Sequence, residues 1–344
     1  MNMLKIRPFI EDKDEPIYID IMNRAMKEFS DITPMTLANA EMEKNAPNMD
    51  KRGRFIAERD GNPVGFIYAY LDTQRQDKHG YMDGPYIVPE FRRKHIGTAL
   101  AEAAIQNYKE RGINIIEGGA RNVNIPAQKF LEKFGFQMHR VFSRMKRSLS
   151  DLPENVGENK DIKIVDIGTD DEALKLENAL LNEAMKEHFN FRPMTLEETQ
   201  YYTREQEKQG VKYNDFVAYA SPAPMQTGSK DTKQDSSIET QKFENRCGVN
   251  NVPVGIMITA IDPREIEHQK KNVAWTLVLG VLKPYRSKGI GKALMIHAMK
   301  FLKEKGMEEA LLGVDDTNIT KAMKIYESLG FEVILKYYRY IKEL

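Results

Sequence analysis

The chain has a single cysteine, Cys247, in 344 residues. It cannot form an intramolecular disulfide, and it excludes any Cys-x-x-Cys zinc or redox site, so a reducing, cytoplasmic compartment is expected. Six histidines (79, 95, 139, 188, 268 and 297) show no His-Glu-x-x-His or other ligand spacing, so no metal is expected. Excess charge is also lacking. Lys plus Arg number 51 and Asp plus Glu number 51, which argues against nucleic acid as a partner but leaves room for a local basic pocket. The longest strongly apolar stretch, 273–282, is about half of the ~20 residues that span a bilayer. The N-terminus runs from Met1-Asn2-Met3-Leu4 into an acidic segment without an apolar signal core, so no membrane association or secretion is expected. Hydrophobic residues at 41% suffice for packed cores, and the length suggests two domains of roughly 150 residues.

What is present is a repeat. Ala25-Met26-Lys27-Glu28 recurs as Ala184-Met185-Lys186-Glu187, and Pro34-Met35-Thr36-Leu37 as Pro193-Met194-Thr195-Leu196, both at an offset of 159. Pro63-Val64-Gly65 recurs as Pro253-Val254-Gly255 at 190, and Arg92-x-Lys94-x-Ile96-Gly97 as Arg286-x-Lys288-x-Ile290-Gly291 at 194. Ala127, Gly135 and Phe136 match Ala322, Gly330 and Phe331 at 195. The order is kept, so each half carries the same elements. The jump in offset places an insertion in the second half, seen as the polar run 221–250, which reads as a solvated loop. A polar run with Pro and Gly at 148–161 reads as the seam. The expected domains are 1–150 and 162–344, joined by a linker at 151–161.

Hydrophobic periodicity in the second half predicts a strand at 162–165, helices at 171–189 and 195–206, and strands at 216–219 and 254–260. A continuous apolar run at 273–281 reads as a buried central strand. A helix at 290–305, a strand at 310–314, a helix at 319–329 and a final strand pair through 331–341 follow. This order predicts an α/β fold in each half, a mixed sheet flanked by helices.

The chemistry is expected where the central strand turns into a helix, at Arg286-Ser287-Lys288-Gly289-Ile290-Gly291. Glycines let a backbone approach a ligand, and a helix N-terminus offers unpaired N–H groups to an anion such as pyrophosphate. Arg286, Lys288 and Lys292 add positive charge. A tight strand-to-helix turn would read the same way. The loop is neither a Walker loop nor the Gly-x-Gly-x-x-Gly dinucleotide fingerprint.

Arg286-x-x-Gly289-x-Gly291 resembles the acetyl-CoA pyrophosphate loop of the GCN5-related N-acetyltransferases. Downstream, Asn318-x-x-x-Ala322 and Ile325-Tyr326-Glu327-Ser328-Leu329-Gly330-Phe331 resemble that family's second signature. The duplicated arrangement resembles its tandem-domain members, such as the mycothiol synthases, whose C-terminal copy is the active one. The resemblance implies an acetyl-CoA-dependent N-acetyltransferase built from two tandem domains. Its cofactor-binding residues would be Leu279, Val281, Arg286, Ser287, Lys288, Gly289, Ile290, Gly291, Lys292 and Asn318, with Tyr326 as the general acid that protonates the leaving CoA thiolate. Asn318 reads equally as a plain helix cap. The acceptor would be a primary amine of a small molecule or peptide. No general base stands out: Glu265, Glu267, Asp315 and Asp316 qualify only by type, and attack by neutral amine needs none. His297 shares a helical face with Ile290, Leu294 and Phe301 and reads as a core residue.

The first half departs from this pattern. His95 takes the place of the first loop glycine, where a side chain would crowd the pyrophosphate or shift the turn, and Leu131 stands where the tyrosine should be. Arg92, Lys94, Gly97 and Asn124 persist, implying a second, weaker cofactor site in a degenerate, non-catalytic domain. His188, Phe189, Phe191, Tyr201 and Tyr202 lie where the resemblance puts the acceptor, though buried packing would account for them as well. The alternative reading is a non-catalytic acetyl-CoA-binding or scaffold protein.

Overall fold

The computed structural model describes residues 3–152, 161–222, 251–317 and 322–344. Most of the expected linker, and of the insertion at 221–250, lies outside the described residues. Elements in chain order are β1 (Leu4–Pro8), α1 (Glu15–Met26), α2 (Leu37–Asn45), β2 (Met49–Arg59), β3 (Asn62–Asp72), β4 (His79–Ile87), α3 (Ile96–Glu110), β5 (Ile115–Arg121), α4 (Ile125–Lys133) and β6 (Gln137–Ser148). They repeat as β7 (Ile162–Asp166), α5 (Asp171–Met185), α6 (Leu196–Lys208), β8 (Lys212–Ala220), β9 (Val252–Ile261), α7 (Pro263–Gln269), β10 (Val273–Val281), α8 (Ile290–Glu304), β11 (Glu309–Asp315), α9 (Ala322–Ser328) and β12 (Glu332–Glu343). Helix α7 has no counterpart in the sequence-based expectation. The expected final strand pair is one strand, since no turn residue interrupts the run after Gly330.

The chain forms two compact units, one of Met1–Ser143 with Leu335–Leu344 and one of Arg144–Ile334. A boundary drawn from the repeat assigns 335–344 to the second domain and 144–150 to the first; the units hold them the other way round. In the first unit β12 pairs antiparallel with β5, from Tyr337↔Arg121 to Glu343↔Ile115, and Tyr340 is buried in that unit's core. In the second, the end of β6 lies beside β11, Met145 and Leu149 enter the core, and Lys146 pairs with Glu309 at 2.8 Å. Burying each of these side chains contributes about 1.5–3 kcal/mol.

Within each unit the sheet carries helices on both faces. Along β3, Phe66 and Tyr68 pack towards α1 and α2, while Ile67 and Ala69 pack towards α3. Along β8, Val217 and Tyr219 pack on the α5 side, and Phe216 and Ala218 on the α8 side. This is the period-2 alternation of a strand covered on both faces.

The repeated sequence motifs are structural joints. Thr36 and Thr195 are the N-caps of α2 and α6, each in a capping box with Asn39 or Glu198. Asn23 clamps the backbone of Met35 and Asn182 that of Met194, each with bonds of 2.7–2.9 Å. The Val64 and Val254 carbonyls accept from Val88 and Leu282 at 3.0 and 2.9 Å, fixing the exits of β4 and β10.

Candidate functional site

In the second unit β10 and β11 are parallel from Val273↔Glu309 to Trp275↔Leu311. The register of β10 on its other neighbour, β9, then shifts by one residue between Thr276 and Val278, a bulge at Leu277. A bulge kinks its strand and sharpens its twist, so the two parallel strands part beyond it. Leu279 and Val281 lie on this departing end of β10. A single 3-10 turn, Lys283–Tyr285, follows, and then α8 begins at its N-cap, Gly289.

Gly289 has φ 77°, the left-handed region that glycine enters without strain, and no side chain caps the helix. The first N–H groups of a helix lack intrahelical partners, so this end of α8 is left open to an anion. Ile290 is buried and anchors the turn, Ser287 has φ 61°, and Lys288 and Lys292 are exposed. The Lys288 ammonium stands 5.2 Å from the Tyr285 ring centroid.

The Arg286 side chain is engaged by groups of the protein itself. Its guanidinium donates to the Val281 and Ala184 carbonyls, both at 3.0 Å, and pairs with Glu187 at 2.5 Å. Lys283 joins Glu187 at 2.7 Å, and these two cations hold the Glu187 carboxyl down at about 2. These bonds tie the loop to the end of α5. Arg92 repeats the arrangement, bonding the carbonyls of Ile87 (3.2 Å) and Ala25 (2.8 Å) and the carboxylate of Glu28 (2.8 Å).

Tyr326, on α9, is buried in the core, its ring edge-on to Phe331 at 6.1 Å. Burial pushes its phenol up to about 12, so it stays protonated through neutral pH. Asn318 lies outside the described residues. Of the candidate bases, Glu265 accepts from the Trp275 indole at 2.7 Å, Glu267 is exposed, and Asp315 accepts from the backbone and hydroxyl of Thr317. Asp316 is half-buried beside it. His297, expected in the core, is exposed and meets the Phe216 ring edge-on at 4.8 Å. Phe189 is exposed, while His188, Phe191, Tyr201 and Tyr202 are half-buried, and the Tyr201 and Tyr202 rings meet edge-on at 5.4 Å. Burial, with the charge of Arg286 adding to it, lowers the pKa of His188.

The first unit carries the same loop with a different lining. His95 is the N-cap of α3 at φ 61° and ψ 7°, close to the φ 77° and ψ 0° of Gly289, and no side chain caps this helix either. Histidine has thus not shifted the turn. Lys94 bends back to the Glu90 carbonyl (2.9 Å), and Asn124 caps α4 by accepting from Ala127 (3.1 Å). Leu131 is buried. The parallel pair β4–β5 holds from His79↔Ile115 to Met82↔Gly118 and then parts at a bulge that contains Gly84 and Pro85. A cavity of about 1260 Å³ opens there, lined by Arg92, Gly97 and Asn124 at the loop end. Sequence reasoning missed its far end, where Asp83, Tyr86 and Glu117 also line the cavity. Asp83 accepts from the Tyr86 hydroxyl at 2.5 Å, and Glu117 faces His79 and Arg339, each at 3.4 Å.

Among the described residues no group of His, Cys, Asp and Glu is arranged to hold a metal, and no helix is long and apolar enough to cross a membrane.

Parallel strands that part in front of an uncapped helix N-terminus, repeated in both halves, define a tandem acyltransferase architecture. The chain belongs to the acetyltransferase (GNAT) family, whose model matches it twice, at residues 19–136 and 214–331. A mycothiol acetyltransferase of Acidothermus cellulolyticus is 27% identical over 248 residues, covering 71% of this chain and 66% of that protein. One from Thermobispora bispora is 27% identical over 136 residues, covering 39% and 46%. The chain thus spans between about half and two thirds of the length of these relatives. Among solved structures, a tandem GNAT protein from the clavulanic acid biosynthesis pathway superposes with a TM-score of 0.71 at 14% identity, covering 99% of this chain and 98% of that one. A GCN5-related N-acetyltransferase from Sphaerobacter thermophilus gives 0.63 at 17% identity, covering 99% and 95%. These two likenesses concern the fold.

Proposed function

We propose that the chain is an acetyl-CoA-dependent N-acetyltransferase that acts on a primary amine of a small molecule or peptide, with its reaction centre in the second unit. The observation that carries this is the open, uncapped N-terminus of α8 at an unstrained Gly289, placed where β10 leaves β11 and in the same unit as a protonated Tyr326. Acetyl-CoA supplies the thioester. The N–H groups at Gly289, Ile290 and Gly291 would receive its pyrophosphate, with Ser287, Lys288 and Lys292 around them, while Arg286 holds the loop in shape through Ala184 and Glu187. Leu279 and Val281 would offer backbone groups to the pantetheine arm, and a β10 N–H would polarise the acetyl carbonyl. Asn318 would complete the arm's contacts.

A neutral amine attacks the carbonyl carbon: the C–N bond forms, the C–S bond breaks, and Tyr326 gives its proton to the departing thiolate. The amine's surplus proton leaves to water, and the Tyr326 phenolate regains a proton from water before the next turnover. The first unit keeps Arg92, Lys94, Gly97 and Asn124 as a second, weaker acetyl-CoA site. It does not transfer, because Leu131 has no proton to give. The names of the mycothiol acetyltransferase relatives suit an amine acceptor, and the lone Cys247 suits a cytoplasmic setting.

The test is CoA release from acetyl-CoA over a panel of primary amines. Saturable, amine-dependent release is expected, and Tyr326→Phe should lower kcat by about 10²-fold or more with little change in KM for acetyl-CoA. Tight acetyl-CoA binding without turnover on any amine would instead establish the scaffold reading.

A further inference from the structure

Away from the cavity and the loop, the first unit gathers three cations where β2 begins: Lys44 on α2, and Lys51 and Arg54 on β2. The carboxylates around them are held by other cations at short range. Glu11 pairs with Arg54 at 2.6 Å, and Asp12 and Glu41 pair with Lys44 at 2.7 and 3.1 Å. Asp50 pairs with Arg52 and Arg111 at 2.5 and 2.8 Å. Lys51 is left with Glu11 at 4.0 Å, and no hydrogen bond to its ammonium exists among the described residues.

The backbone brings Lys51 to this place. The register of β2 on β3 shifts between Asp50 and Gly53, so Lys51 and Arg52 form a bulge. The Arg52 side chain is 74% exposed, whereas that of Lys51 is 18% exposed, largely desolvated yet still open to a reagent. Arg54 is fixed beside it, with its guanidinium buried and 4.1 Å from the Phe9 ring centroid. Burial lowers the Lys51 ammonium below the ordinary lysine range, and Arg54 and Lys44 add to this against Glu11 and Asp50. An amine that is desolvated and flanked by like charge is deprotonated more often than a solvated lysine, which is what makes a lysine nucleophilic.

We propose that Lys51 is a modification site, a nucleophilic amine on the surface of the first unit that small acyl thioesters such as acetyl-CoA acylate directly from solution. The neutral amine attacks the thioester carbonyl carbon: the C–N bond forms, the C–S bond breaks, and sulfur leaves with the bonding pair as the CoA thiolate. The surplus proton on nitrogen passes to water. The product amide carries no charge, so the modification relieves the repulsion from Arg54 and Lys44 and leaves the pairs of Glu11 and Asp12 in place. This chemistry needs neither Tyr326 nor the loop of the second unit.

The test incubates the full chain, unmodified and carrying Tyr326→Phe, with acetyl-CoA and follows acetylation of each lysine over time by peptide mass spectrometry. In both chains Lys51 should react about fivefold or more faster than the exposed Lys27, Lys109 and Lys133, and its rate should level off at a lower pH than theirs. Two surface changes should move that rate in opposite directions. Glu11→Gln removes the facing carboxylate and should raise it severalfold, while Lys44→Gln removes a cation, releases Asp12 and Glu41, and should lower it severalfold. Near-ultraviolet circular dichroism of each variant reports its packing. A Lys51 rate no greater than that of the three exposed lysines, or one that neither variant changes, would overturn the proposal. So would Lys51 acetylation that disappears with Tyr326→Phe, since it would then be transfer by the second unit. None of these results bears on amine-dependent CoA release by the unmodified chain, so failure here and failure of the acetyltransferase reading are told apart.

Discussion

Arg286 and Glu187 form an ion pair at 2.5 Å across 99 residues of chain, and the same guanidinium reaches the carbonyls that end α5 and β10. The loop that would hold pyrophosphate is thereby fixed to a helix that carries no part of the loop motif. Arg286→Ala removes three bonds at once and should raise KM for acetyl-CoA about tenfold with a smaller effect on kcat. Glu187→Gln leaves the two carbonyl bonds and should cost only about two- to threefold, an effect that shrinks further at high salt because the pair is solvent-accessible. Steady-state kinetics in acetyl-CoA at low and high ionic strength check this. A tenfold change for Glu187→Gln and none for Arg286→Ala would reverse the assignment.

The second unit also holds a buried carboxyl pair, Glu177 on α5 hydrogen-bonded to Asp215 on β8. Desolvation raises both pKa values, and the charge of Glu177 raises that of Asp215 further, with Asp166 and Glu207 adding to it. The sign follows from linkage. The unfolded chain releases these protons near the ordinary carboxylate value of about 4, while the folded chain keeps them to higher pH. Between the two, the folded state binds more protons, so this pair's contribution to stability falls as pH rises from about 5 through neutrality. Asp215→Asn should flatten the fall in Tm over that range. An unchanged slope in a pH series of thermal melts would show that the pair does not carry a shared proton.

Much of this was legible in the sequence because the repeated words are joints. Ala184 and Glu187 recur as Ala25 and Glu28 since both pairs anchor a loop arginine, and Thr195 recurs as Thr36 since both start a helix. The partners were not legible, because nothing in a local pattern links Glu187 to a residue 99 positions on. Asp83 was hidden for a similar reason. As one polar residue in a half-apolar strand it looks like an ordinary surface position, and only the bulge turns it into a cavity. The destinations of the last strands were also unreadable, because β6 and β12 share the same apolar alternation and either could cover either open sheet edge.

That exchange of strands is itself testable. A chain ending at residue 334 loses β12 from the first unit, leaving the β5 edge unpaired and removing Tyr340 from the core. Amide hydrogen exchange at 115–121 should accelerate by about two orders of magnitude or more, because an exposed strand edge has lost its ladder bonds. Protection of β8 and β9 should be retained, as these strands pair with each other in the second unit. Uniform loss of protection, or none at 115–121, would contradict the observed division.

The two loops allow a reciprocal experiment on the difference between His95 and Gly289. Both residues sit in the left-handed region, at φ 61° and 77°, where a side chain other than glycine costs about 1–2 kcal/mol. His95→Gly removes that strain, but the more flexible unfolded chain offsets roughly 0.5–1 kcal/mol of the gain, so stability should change little. Ligand binding should change more, because an imidazole beside the open N-terminus of α3 obstructs an approaching phosphate. In the Tyr326→Phe background, His95→Gly should tighten the weaker acetyl-CoA site severalfold, seen calorimetrically as a clearer second binding event. The mirror change, Gly289→His, should raise KM for acetyl-CoA about tenfold or more in the active chain, since it brings strain and bulk to the same point of the second loop. If Gly289→His left KM unchanged, the N-terminus of α8 could not be where the pyrophosphate is held.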